Sequence, residues 1–159
     1  VVRQERNLII TENKLGIVMA NAGIDQSNVE SGCALLLPED PDQSAMNLRA
    51  ALKCALDIDM GIVIADSIGR AWRRGIIGHA IGVAGVEAVI NMRETYDLYG
   101  RELRVTEIAI ADEIAAAGTL LMGQAQEGIP VVIVRGFSAF DEATSAKELI
   151  RPKDQDLFR

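Results

Sequence analysis

An α+β fold with mixed or antiparallel sheets is predicted by three observations. One pair of short apolar runs flanks a polar turn, separate apolar segments carry helical spacing, and strands and helices interleave without a regular βαβ period, which argues against a doubly wound parallel sheet. The 159 residues hold no internal repeat and no low-complexity linker, so positions 1–159 read as a single domain long enough to bury a real core.

The elements follow in order. Leu8-Ile9-Ile10 and Gly16-Ile17-Val18-Met19 flank Glu12-Asn13-Lys14 and predict a β-hairpin. The apolar run Cys33 to Leu37 stops at Pro38-Glu39-Asp40-Pro41, after which Asp42 or Ser44 is expected to cap a helix with Ala45, Leu48, Leu52, Ala55 and Leu56 on one face. Gly61 to Ala65 reads as a buried strand delivering Asp66 at its end. GIIGHAIGVAG, punctuated by Gly75, Gly78, Gly82 and Gly85, reads as a tightly packed strand or bend. From Thr106 a helix is expected, with Thr106 as cap, Glu107 in its first turn, Ile108, Ala111, Ile114, Leu121 and Met122 on its apolar face, and Gly123 at its end. After Gly128 and Pro130, Val131 to Val134 is predicted as a last buried strand, and the polar tail Asp141 to Arg159 is expected to pack only in part.

Composition narrows the function classes. Hydrophobic residues make up 49%, charged ones 25% and aromatic ones 4%, the profile of a globular protein with an aliphatic core. A net charge of -7 argues against a general nucleic-acid or anionic-membrane surface, so an anionic ligand must meet a local basic patch or a metal. Cys33 and Cys54 lack the spacing of a zinc or redox site and suit a reduced, cytoplasmic setting. No apolar run approaches the roughly 20 residues of a membrane span. The start has no signal-peptide character and no initiator Met, so the chain is expected to be the C-terminal part of something longer.

Two stretches carry the chemistry. ANAGIDQSNV (20–29) and ADSIGRAWRR (65–74) each set a carboxylate among small polar residues after an apolar run, exposing amides and oxygens as a hydrated metal and its phosphate ligands require. On residue type alone, Asp25 and Asp66 have commoner jobs as a turn residue and a strand-end cap. Arg70, Arg73 and Arg74 form a basic cluster in which a guanidinium can clamp a phosphate or carboxylate, with Arg70 and Arg73 the catalytic candidates and Trp72 placed to cover the site or stack on a ring. Pairing of these arginines with surface carboxylates, with Trp72 in the core, stays open beside it. His79 in an apolar segment reads as a hydrogen-bonded core residue, and Asp112 and Glu113 as a solvated helix face. Arg135-Gly136 reads equally as a nucleotide-facing pair or a salt-bridged strand end, and the glycines fit neither a Walker loop nor a dinucleotide fingerprint.

The series ANAGIDQSNV, LLPEDPDQSA, ADSIGRAWRRG with AIGVAG, YDLYGRELRVTEIAIADEIAAA and LMGQAQEGIPVVIVRG resembles the coenzyme F420-0:γ-glutamyl ligase family in order and spacing, over nearly the whole chain. The resemblance implies a two-lobed, homodimeric α+β protein that uses GTP and two divalent ions, Mg²⁺ or Mn²⁺, with K⁺ as a further ion, to join L-glutamate to the phospholactyl carboxylate of F420-0. It implies metal binding by Asp25, Asp66, Ser67 (where the family has Thr) and Gln124. Asn28 is then a nucleotide contact, and the segment Leu120, Leu121, Met122, Gly123, Gln124, Ala125, Gln126 and Glu127 lies near the phosphates. Hard oxygen donors favour Mg²⁺ or Mn²⁺ over zinc, and activation of a carboxylate as an acyl phosphate suits a chain with one His and no catalytic triad.

The departures are also specific. The family's first portion, with its Ser-Lys phosphate-binding element, has no counterpart here, so a separate polypeptide is expected to supply it. Ile68 stands for a usual Phe, and Gly78-His79 for a more polar pair. A nucleotide-dependent amino-acid ligase acting on another acidic substrate, and a non-catalytic dimerising or ligand-binding fragment, are the alternative readings.

Overall fold

The computed structural model describes residues 1–6, 8–137 and 142–156. The fold is α+β, and every strand pair among these residues is antiparallel. Strands β1 (Arg3–Glu5), β2 (Leu8–Glu12) and β3 (Val18–Ala20) form one sheet in that order. The expected hairpin is its β2–β3 half. Its turn is built by Asn13, whose Oδ1 accepts from the amides of Leu15 at 2.9 Å and Ile17 at 3.0 Å.

Helix α1 (Pro41–Leu56) starts earlier than expected. The cap is Asp40, accepting from Gln43 N at 2.9 Å, rather than Asp42 or Ser44, because Pro41 has no amide to satisfy and fixes the first helical φ. Asp42 is thereby free for other work. Its Oδ1 accepts from Val83 N at 2.9 Å and Ala146 N at 3.1 Å, and its Oδ2 from Ser145 Oγ at 2.6 Å. Of the expected apolar face, Ala45 is buried and Leu52 half-buried, whereas Leu48, Ala55 and Leu56 are exposed.

Strands β4 (Ile62–Arg70) and β5 (Arg73–Ala84) pair along most of their length, joined by Ala71-Trp72. The glycine-punctuated segment is therefore a strand. Asp66 is not at a strand end as expected: it sits mid-strand opposite His79, because the apolar length of β5 provides a ladder that carries β4 on through its polar residues.

Strands β6 (Ile90–Asn91) and β7 (Glu107–Ile108) close the base of a ribbon spanning 91–107. At its tip Asp97 Oδ1 accepts from Tyr99 N at 2.8 Å and Arg101 N at 2.9 Å. This pairing overrides the expected helix start at Thr106, since Glu107 and Ile108 are taken by β7 and helix α2 runs Ile110–Met122 without a side-chain cap. Ala111, Ala115 and Gly118 are its buried residues. Ile114 and Met122 are half-buried and Leu121 is exposed. Gly123 ends the helix as expected.

Two glycines explain why β5 accepts helices so closely. A Cβ at Gly78 would collide with Thr119 and the Ala115 carbonyl of α2, and one at Gly82 would collide with Pro41 at the start of α1. Each helix also sends a first-turn aspartate to the β5 backbone. Asp42 takes the Val83 amide, and Asp112 takes the Ala80 amide at 2.8 Å, so Asp112 is not on a solvated face. The core is correspondingly small-residued: Ala80, Val83, Ala88, Ala111, Ala115 and Ala146, with Val63, Ala65, Val86, Val89 and Leu149 against it.

Val131 to Val134 forms no strand. Val131 is 75% and Ile133 74% exposed, because no described segment lies beside them to complete a ladder. Beyond it, the 3-10 turn Ala146–Leu149, opened by a Ser145 capping box, docks the tail through Ala146. Asp141 and 157–159 of the expected partly packed tail lie outside the described residues. No helix among the described residues is long and apolar enough to cross a membrane. The chain leaves 11973 Å² accessible to solvent, about half as much again as the roughly 7,700 Å² typical of a folded monomer of its mass.

Candidate functional site

The site starts from a left-handed turn. Asn21, Ala22 and Gly23 have φ of 50°, 55° and 79°, an uncommon run for L-residues that swings the chain out of β3 and into the next loop. Backbone bonds between Asp25 and Leu35, at 3.2 and 2.7 Å, then pin the neck of that loop.

Within the loop, the Asp25 carboxylate accepts from Ser27 N at 2.8 Å and Ser27 Oγ at 2.5 Å. The Ser27 hydroxyl and amide stabilise the charged form and hold its pKa below the ordinary carboxylate range. Asn28 adopts φ 53°, which its side chain tolerates, and its Nδ2 donates to Ala125 O at 2.9 Å. The loop after α2 is thus tied to the loop after β3. Glu127 folds that second loop from within, accepting from Ala125 N at 2.8 Å, and the Ala125 and Glu127 amides lower its pKa.

A third segment joins through β4, where Ser67 Oγ donates to Gln124 Oε1 at 2.6 Å. Between the two loops lies an open groove of about 490 Å³, lined by Asp25, Ser27, Asn28 and 122–130. That volume lies in the range of small-molecule sites. A smaller cavity of about 110 Å³, lined by residues that include Lys14, Asp42 and Ile150, contains none of the expected site residues.

The structure thus brings together Asp25, Asn28, Ser67 and Gln124 with Met122, Gly123, Ala125, Gln126 and Glu127. Leu120 and Leu121 are exposed on the last turn of α2 and do not line the groove. Asp66 does not line it either. Successive strand residues alternate in direction, so Asp66 and Ser67 leave β4 toward opposite faces, Asp66 sharing the side of His79 and Ser67 that of Gly78. Ser27 was not singled out by sequence; the signal for it is the Asp-x-Ser spacing, which lets the later hydroxyl and amide return to the carboxylate.

His79 is buried, and its Nδ1 lies 3.0 Å from Asp66 O, so the proton is on Nδ1 and the core role expected of it holds on that side. Its Nε2 is buried without a hydrogen-bond partner among the described residues. Arg70, Arg73 and Arg74 stand at the β4–β5 turn and do not line the groove; Arg70 Nη2 donates to Arg74 O at 3.4 Å. Trp72 is 88% exposed, which excludes the core reading for it. Arg135 and Gly136 are exposed past a segment that is not a strand.

Among the described residues no three His, Cys, Asp or Glu side chains cluster as a metal cage. The donors lining the groove are the carboxylates of Asp25 and Glu127 with hydroxyl and amide oxygens, a set that suits a hard ion keeping several of its waters, not a thiolate or imidazole metal.

These elements define a groove in which a hard-donor set sits beside two backbone loops. Residues 1–136 match the model of the F420-0:Gamma-glutamyl ligase family, and the chain belongs to that family. It is 45% identical over its whole length to a coenzyme F420:L-glutamate ligase of Methanocaldococcus jannaschii and covers 64% of that relative. It is likewise 45% identical to the protein so named in Methanopyrus kandleri and 44% identical to that of Methanothermobacter thermautotrophicus, again over its whole length, covering 65% and 64% of them. The chain therefore spans just under two thirds of the length of these curated relatives.

Proposed function

We propose that this chain belongs to a GTP-dependent ligase that joins L-glutamate to coenzyme F420-0 through an acyl phosphate, and that it supplies the metal- and phosphate-handling part. The observation that carries this reading is the pair of ties, Ser67 to Gln124 and Asn28 to Ala125, that gathers three separate segments around Asp25. The relatives' printed name supports the substrates, glutamate and an F420 species.

In this reading Asp25, held ionised by Ser27, would hold a divalent ion with Ser67 and Gln124, whereas Asp66 leaves the other face of β4 and does not reach that ion. Bound there, Mg²⁺ or Mn²⁺ supplies charge neutralisation and alignment for phosphoryl transfer. The chain's own part is positional. The amides of 122–127 face the phosphates, Asn28 keeps that loop beside Asp25, and Arg70 and Arg73 draw the acceptor's anionic groups toward the groove. The acceptor carboxylate takes the γ-phosphoryl group of GTP, and the glutamate amine then displaces phosphate to form the amide. K⁺ would be a further ion of the site. The surplus of accessible surface supports a homodimer, with the remaining third of the family's length also covering part of it. Free, exposed Cys33 and Cys54 support a reducing compartment such as the cytoplasm.

The test is calorimetric titration of the chain with GTP, with and without Mn²⁺, on the wild type, Asp25→Asn and Asp66→Asn, followed by a GDP-release assay. Mn²⁺-dependent binding in the range of about micromolar to millimolar, lost in Asp25→Asn and kept in Asp66→Asn, and GDP release requiring both F420-0 and glutamate are expected. GDP release with neither substrate present, or folded protein without Mn²⁺-dependent binding, would overturn the reading.

A further inference from the structure

The ribbon spanning 91–107 is held by little besides itself. Its strands β6 and β7 pair with each other and with no further strand among the described residues. Beyond them its two arms are joined by backbone bonds from Glu94 N to Leu103 O at 3.0 Å and from Leu103 N to Thr95 O at 2.8 Å. A lone two-stranded ribbon is marginal in water and needs a surface to lie against. Yet its large side chains face solvent: Leu98 is 100% and Tyr99 90% exposed, and Tyr96 and Val105 are exposed as well. The turn does not require them, since the Asp97 carboxylate builds it by accepting from the amides of Tyr99 and Arg101. Single exposed apolar residues are ordinary on a surface, whereas four of them on one short ribbon mark an interface.

Charge and area say what covers it. With a net charge of -7, two copies of the chain repel each other across most of their surface. The ribbon is close to balance, with Arg93, Arg101 and Arg104 set against Glu94, Asp97, Glu102 and Glu107. Arg93 is paired with Glu107 at 2.7 Å, while among the described residues no ion pair engages Arg101, Arg104, Glu94 or Glu102. A patch of one sign selects a partner of the other sign, but a balanced patch with open charges of both signs is complementary to itself. Around a two-fold axis each such contact is made twice. The surplus of accessible surface is several times the roughly 800 Å² that each partner gives up in a standard interface.

We infer that the ribbon 91–107 docks on a second copy of this chain, the two ribbons lying against each other across a two-fold axis. Tyr96, Leu98, Tyr99 and Val105 supply the apolar contact, and Arg101 and Arg104 of each copy meet the open carboxylates of the other. This rests on the homodimer of the reading above and not on its chemistry.

Sedimentation equilibrium of the full chain over a range of concentrations, with thermal midpoints, tests it. The proteins are wild type, Leu98→Ser with Tyr99→Ser, Arg101→Glu with Arg104→Glu, Glu94→Arg with Glu102→Arg, and an equimolar mixture of the two charge variants. Wild type should dimerise. The serine variant alters only exposed side chains, so it should stay folded yet associate at least about tenfold more weakly. Each charge variant should be monomeric where wild type is dimeric, and their mixture should recover a dimer holding one copy of each. A wild-type dimer that the serine changes leave intact keeps the homodimer and overturns the ribbon as its surface, and charge variants that fail to rescue each other overturn the pairing of ribbon with ribbon. Wild type that stays monomeric overturns both the homodimer and this inference, leaving the ribbon to a different protein. Mn²⁺-dependent GTP binding tests the ligase chemistry separately from all of these outcomes.

Discussion

Replacing Gly78 by Ala tests whether the approach of α2 to β5 sets the groove. The added methyl would collide with the Thr119 side chain and with the carbonyl of Ala115, one a movable group and the other helix backbone. A rotamer change at Thr119 relieves only half of the conflict, so α2 must shift. Overpacking of this kind costs about 1–3 kcal/mol, which for a chain of this size is a fall of about 2–10 °C in thermal midpoint. Because Gly123 and Gln124 follow directly on α2, the shift is transmitted to the Ser67–Gln124 bond, and Mn²⁺-dependent GTP affinity should fall with stability. Thr119→Ala in the Gly78→Ala background removes the side-chain half of the collision and should restore part of the loss, a coupling of about 0.5 kcal/mol or more in a double-mutant cycle. Urea denaturation of the four proteins measures it. Gly78→Ala as stable as wild type, or strict additivity with Thr119→Ala, would refute the close-packing argument.

Other substitutions address separate features. Ala22→Gly places the permissive residue in a left-handed conformation and should stabilise the chain by about 0.5–1 kcal/mol in thermal or urea unfolding; a loss of stability would show that the turn is not strained. Asp42→Ala leaves the Val83 and Ala146 amides and the Ser145 hydroxyl without their acceptor and should cost about 3 kcal/mol, which urea unfolding would contradict by showing less than about 1. Asp25 has a lowered pKa, so any stability it contributes is fully present above its unfolded value of 3.8 and is lost as pH falls from there through the folded pKa. Ser27→Ala removes the main cause of that lowering and should move the acid loss of Mn²⁺ binding to higher pH. An unchanged midpoint in an acid titration would mean that Ser27 does not hold the charge.

How far the sequence could be read depended on whether the deciding interaction was local. The β2–β3 hairpin was legible because Asn13 and its flanking apolar runs sit within one turn. The start of α2 was not, because Glu107 and Ile108 are claimed by Ile90 and Asn91, partners that helical periodicity cannot reveal. Asp66 was read as a strand end because polarity rises there, yet the ladder with β5 continues beneath the polar side chains. Val131 to Val134 has the composition of a buried strand but no neighbour to bury it among the described residues. In the candidate site, Asp25, Asn28 and Gln124 were identified through family resemblance and do converge, whereas the opposite facing of Asp66 and Ser67 follows from pleating that a motif does not display.

Asp42 also bears on the order in which the chain folds. Its carboxylate joins α1 to β5 across 41 residues and to the tail across 103 and 104. Closing loops of that length is slow relative to forming a helix or a hairpin, and the entropy is lost before the bonds are gained. The β4–β5 hairpin and both helices can assemble while the tail is still being synthesised, whereas the bonds from Asp42 to Ser145 and Ala146 can form only once those residues arrive. Substitutions at Asp42 should therefore accelerate unfolding far more than they retard folding, which makes this single carboxylate a latch on the lifetime of the native state.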